Sequence, residues 1–289
     1  MQYWESITGP GTIDEMVADA HAAGHADFNA RLVGAWIAKG ILGSPQVRTL
    51  HRGSDKALHS AHQRRLLLIV LDKRRRSPEL KLNSLAQIPL ALWLWWGEEY
   101  VAVQQAQRAF STWLGRGQRN KDVARDGAVG LLRQIDHPLA TPTARTRLVR
   151  LVTDLGNGQA LTPRGRAELV DAVREVMEPD SVFAASGMVR AVGPVGAPMT
   201  CEHVVAHAEI ISLAVQHVLR AGVSEQLLEE ARAAARAWTA DYLAERPGLE
   251  AAAGSLADAF RSPTLDEQVN TAGERLLYTV GLLLRQRQQ

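Results

Sequence analysis

Helical periodicity runs through almost all of this chain, and one short stretch alone reads as paired strands. Ala, Leu, Arg, Glu and Gln fill long segments in which apolar residues recur three and four positions apart, a spacing that gives each helix one stripe to bury. Polar caps and glycine stops punctuate them. Thr12-Ile13-Asp14-Glu15 has the pattern of a capping box and opens a helix to about Ala22, stopped by Gly24. Asp27 caps a second helix to Lys39, ended by Gly40, whose apolar stripe is Phe28, Leu32, Ala35 and Trp36. Gly43-Ser44-Pro45 leads into the strand candidate 46–51, a turn over 52–55 and a returning strand 56–58. Ser60 opens a third helix through Arg76. Further helices are expected at 80–87, 90–114, 122–136, 142–155, 163–178, 200–221, 224–245, 248–260 and 264–287.

The fold expected is therefore mainly α: an N-terminal winged helix-turn-helix with a two-stranded ribbon over 1–85, an aromatic-rich connecting helix over 86–115, and an all-helical part over 116–289. With 46% hydrophobic and 22% charged residues among 289, wholesale disorder is excluded, and the core needs no staples. The single cysteine, Cys201, excludes an intrachain disulfide framework and points to a reducing, cytoplasmic setting. Residues 1–11 carry neither a basic region nor a long apolar one, so no signal peptide is expected. The longest greasy run, 88–96, is nine residues and contains Pro89, against about twenty for a bilayer span, so no membrane association is expected.

The net charge of +2 conceals a division. Residues 1–150 hold 21 Lys+Arg against 13 Asp+Glu, a net of +8, whereas 151–289 hold 12 against 18, a net of −6. Over 28–81 the balance is 12 against 3, a net of +9 in 54 residues. Such an excess points to a polyanion partner or forms a solvated basic face. Helix, turn, helix, ribbon, helix is the order a winged helix-turn-helix requires: the second helix enters the major groove and the ribbon grips flanking backbone. On this reading the DNA contacts are Asn29, Arg31, Lys39, Arg48, Arg52, Lys56 and Arg64. Asn29 and Arg31 suit adenine and guanine edges.

Trp36-Ile37-Ala38-Lys39-Gly40-Ile41-Leu42, with Pro45 after it and Leu58-His59-Ser60, Leu66 and Ile69 downstream, resembles the DNA-binding domain of the MerR-like winged-helix family over about a quarter of the chain. His59 stands where that family ends its wing with tyrosine, and Gly34 falls near its usual arginine. The resemblance implies a sequence-specific binder of double-stranded DNA, usually a dimeric transcription regulator whose long helix after the winged domain pairs with its mate. The segment 90–114 occupies that place, so Trp93, Trp96, Tyr100, Phe110 and Trp113 are candidates for a homodimer seam. The alternative is that these rings bury within their own chain.

A further basic stretch over 116–150, including Arg116, Arg119, Lys121, Arg125, Arg145, Arg147 and Arg150, extends the phosphate footprint or forms solvated helix surface. Lys73-Arg74-Arg75-Arg76 suits phosphates or a helix C-terminus. Cys201, His203, His207 and His217 raise a metal site or redox sensor against a plain amphipathic helix, but HVVAH lacks the glutamate of a zinc protease. No phosphate loop or nucleophile elbow is present, so neither catalysis nor a cofactor is expected. Two other classes remain: a helical scaffold docking on an acidic partner, and a small-molecule sensor with a pocket in 120–289.

Overall fold

The computed structural model describes residues 3–48, 56–115, 118–184, 190, 192, 199–253 and 263–288. A 3-10 turn, Tyr3–Ser6, precedes α1 (Ile13–Ala22), α2 (Ala30–Ala38), β1 (Gln46–Arg48), β2 (Lys56–Leu58), α3 (Ala61–Arg76), α4 (Leu82–Leu85), α5 (Gln87–Trp95) and α6 (Val103–Leu114). Then come α7 (Gln118–Ile135), α8 (Pro142–Gly156), α9 (Pro163–Met177), α10 (Asp180–Phe183), α11 (Cys201–Ala221), α12 (Glu225–Ala253), α13 (Leu265–Asn270) and α14 (Ala272–Gln286). The chain is mainly α-helical.

The helices divide into two units. The first joins Met1–Leu114 to Ser224–Glu229 and Thr264–Gly273; the second holds Gly115–Val223, Glu230–Pro263 and Glu274–Gln289. The boundary expected at 85 therefore falls inside the first unit, because α5 and α6 pack there on each other and α4 packs on both.

Capping chemistry explains where the first unit's helices begin. The Thr12 hydroxyl accepts from the Glu15 amide while the Glu15 carboxylate accepts from the Thr12 amide, and the Ser60 hydroxyl accepts from the Gln63 amide. α1 packs on α2 and α3 around Met16, Ala20, Val33, Trp36 and Leu67, all buried. β1 and β2 pair antiparallel with Gln46 opposite Leu58, Val47 opposite Ala57 and Arg48 opposite Lys56. The chain returns to α1 through a bridge between His59 and Gly11.

One long helix over 90–114 does not form. α5 stops at Trp95, and Gly97 turns the chain at a φ of 107°, in the left-handed region that side chains other than glycine's disfavour. The turn folds α6 back onto α5, which is why the aromatics point inward. Trp93, Phe110 and Trp113 are buried, and the last two rings meet at 5.6 Å. This corrects the expected homodimer seam: those three rings are core. Tyr100 lies half-buried against the His62 ring, and Trp96 alone of the five is exposed.

In the second unit α7 packs on α8, α8 on α9, and α11 on both α8 and α9, around Leu148, Leu169, Val173, Val176, Val204 and Val205. Thr141 and Thr162 cap α8 and α9, each with Pro in the first turn. Among the described residues α11 is the one helix whose length and composition would suffice to cross a bilayer, although charged and polar residues interrupt it. Val204, Val205, Ala208 and Ile210 of α11 are nevertheless buried within the protein.

Candidate nucleic-acid interface

α2 has two different sides. Val33 and Trp36 face the core, where Phe28 meets Trp36 edge to face at 5.3 Å. Ala30, Arg31, Gly34, Ala35 and Ala38 are all exposed and recur at helical spacing along one stripe. A Cβ added at Gly34 would meet nothing within 4 Å. The stripe is thus narrow in side-chain bulk and carries a single cation, Arg31, which has no partner among the described residues. Lys39, half-buried, ends the helix.

The position of α2 is fixed from its C-terminal end. Gly40 (φ 72°) lies against α6, and a Cβ there would sit 2.2 Å from the Ala109 amide nitrogen and 2.6 Å from the Gln105 carbonyl oxygen. Three residues on, the Gly43 amide donates to Gln63 Oε1 at 2.6 Å. Gln63 Nε2 donates to the Tyr100 carbonyl at 2.9 Å and to Gln105 Oε1 at 2.8 Å, and Gln105 Nε2 reaches the Ile41 carbonyl at 3.3 Å. Two buried carboxamides thus tie the end of α2 to α3, α6 and the Tyr100 turn, with all four of their polar atoms bonded.

Two of the expected contacts are engaged within the protein. Asn29 is the N-cap of α2: its Oδ1 accepts from the Leu32 amide at 3.1 Å and its Nδ2 donates to the Asp27 carbonyl at 3.4 Å. The acceptor an adenine edge would need is taken by the helix start. Arg64 is turned inward, with Nε at 2.8 Å and Nη2 at 3.0 Å from the two Asp19 oxygens, and Nη1 at 3.0 Å from the Gly9 carbonyl. Its fork is a strut between α3 and α1, not a phosphate contact. Arg52 lies outside the described residues. The backbone register sets Arg48 opposite Lys56 in the ribbon.

The remaining basic clusters are paired in part. Lys73 Nζ lies 3.0 Å from Asp266, and Arg75 and Arg76 both lie on Asp72, at 2.8 and 2.6 Å. In the second unit Arg145 pairs with Asp136 and Arg147 with Glu175. These are solvated or internally matched charges.

The candidates for redox and metal chemistry resolve into structure. Cys201 is buried, and burial, with Glu178 and Glu202 adding to it, pushes its thiol up to about 11, the opposite of a reactive thiolate. His203 Nδ1 accepts from the Thr200 amide at 3.1 Å. His207 stacks on Tyr278 at 4.6 Å, and burial lowers its pKa. No group of three metal-ligating side chains converges among the described residues.

Family models, curated proteins and solved structures give no match to this chain.

Proposed function

We propose that this chain is a sequence-specific binder of double-stranded DNA, built on a winged helix-turn-helix and serving transcription regulation. α2 reads the major groove and the β1–β2 ribbon holds the flanking backbone. The observation that carries this reading is the outward stripe of α2: one unpaired arginine among Gly34, Ala35 and Ala38, solvent-facing and unobstructed. Small residues let a helix approach base edges closely. Alanine methyls suit thymine methyls, and Arg31 suits a guanine edge.

Arg64, Lys73, Arg75 and Arg76 are engaged within the protein, and the phosphate contacts are assigned to Lys39, Arg48, Arg52 and Lys56. Four contacts give a slope of log affinity against log salt of about −4. Selection from random duplexes by the full chain tests the reading, and a recovered consensus supports it. Arg31→Ala then relaxes one base position, at a cost of about 1–3 kcal/mol. Absence of any enriched sequence rejects it.

A further inference from the structure

A cavity of about 430 Å³ opens in the first unit between the Tyr3–Ser6 turn, α3, α5 and the Tyr100 turn, within the size range of small-molecule sites. Its aliphatic lining is Leu66 and Ile69 of α3 and Leu92 of α5. Trp4 and Tyr100 also line it, and the Tyr100 ring meets that of His62 at 4.4 Å. A lining of aromatic rings and aliphatic side chains suits a planar ring.

One group in the lining is unmatched. Arg65 is held by its Nε, which donates to the Ile7 carbonyl at 2.8 Å. That bond fixes the guanidinium, and its two terminal nitrogens have no partner among the described residues. A held guanidinium edge is a fork for a carboxylate. The acidic groups nearby, Glu5 in the lining and Glu99 at 3.8 Å from His62, weigh against a doubly charged phosphate and leave room for one negative charge.

We propose that this cavity binds a small planar aromatic carboxylic acid. The ring lies over Leu66, Ile69 and Leu92 beside Trp4 and Tyr100, and the carboxylate accepts from the terminal nitrogens of Arg65. The site is independent of the DNA-binding reading and lies in the first unit, not in 120–289, where the alternative of a small-molecule sensor places its pocket.

Titration calorimetry of the full chain with 2-naphthoate tests it, with 2-naphthalenemethanol and phenyl phosphate as comparison ligands. Saturable one-to-one binding of 2-naphthoate is expected, with the alcohol and the phosphate weaker by about tenfold or more. Arg65→Lys keeps the charge but loses the fork, and weakens binding by about tenfold. Since that change also disturbs the bond to Ile7, Ile69→Trp fills the cavity from α3 and Leu92→Trp fills it from α5; each abolishes binding. No saturable heat with 2-naphthoate, equal affinity for the alcohol, or full affinity in a folded filled-cavity variant overturns the proposal.

Discussion

Gly34 and Gly40 lie six residues apart on and just beyond α2, and opposite consequences follow from adding one methyl group to each. At Gly34 a Cβ meets open space in a helix interior, so Gly34→Ala stabilises by ~0.5–1 kcal/mol. At Gly40 the same atom collides with the backbone of α6 and the residue has positive φ, so Gly40→Ala destabilises by ~2–4 kcal/mol. Urea midpoints read at constant slope separate the two; equal effects would mean that α2 is not seated on α6. His59 makes a second residue-scale prediction. Burial lowers its pKa, a hydrogen bond with the Gly43 backbone opposes this only in part, and its Nδ1 has no partner. The folded chain therefore resists a proton that the unfolded chain accepts near the ordinary value of 6.5. Stability is full above that pH and is lost as pH falls below it toward the depressed folded value. His207 contributes with the same sign. Urea midpoints should fall between pH 7 and pH 5, and less steeply in His59→Gln; an unchanged slope would mean His59 titrates alike in both states.

At the scale of elements, Phe110→Ala empties a fully buried site between α5 and α6, and a loss of about 3–5 kcal/mol is expected. Since the ring packs within its own chain, that loss is the same at low and high protein concentration; a loss that shrinks at high concentration would restore the intermolecular seam. The aromatics of 90–114 show what the sequence makes legible and what it does not. Thr12, Ser60, Thr141, Thr162 and Thr264 mark helix starts because a cap and its amide are three residues apart. The turn at Gly97 depends instead on α6 finding a surface on α5 and α4, and periodicity carries no such information. The helix running through Pro247 is similar: two helices are expected across it, yet α12 continues, its flanking residues 236–245 largely exposed so that water can serve the freed carbonyl. Within the candidate site, Arg31 on the outer side of α2 is readable from spacing, whereas Ala35, expected in the buried stripe, is exposed. The loss of Arg64 to Asp19 is not readable, because the partners are 45 residues apart and nothing local distinguishes that arginine from Arg65.

The composition of the first unit carries the largest consequence for the whole molecule. Residues 224–229 and 264–273 belong to it, and they are attached by specific contacts. Asp266 pairs with Lys73, Gln104 Nε2 donates to Glu225 at 2.8 Å, and the Gly273 amide donates to Gln87 Oε1 at 3.1 Å. The backbone at Gly273 also lies against the buried Trp113 ring, where an added Cβ would sit 2.4 Å from Cδ2. These segments bring four acidic side chains, Glu225, Glu229, Asp266 and Glu267, to a unit whose first 114 residues hold 13 basic against 10 acidic groups, so the complete unit is near neutral. On the proposed DNA-binding reading, attraction to the duplex then comes from the local excess over 28–81 rather than from net charge. A chain ending at 115 separates the two effects. It loses the cover over Trp113 and α5, and it should melt below the full chain, or expose tryptophan to a quencher that the full chain excludes. The same fragment sheds four negative charges, so any DNA affinity it retains at low temperature should equal or exceed that of the full chain. A fragment as stable as the full chain would show that residues 224–229 and 264–273 add nothing to the core, and the partition into units would have to be redrawn at 115.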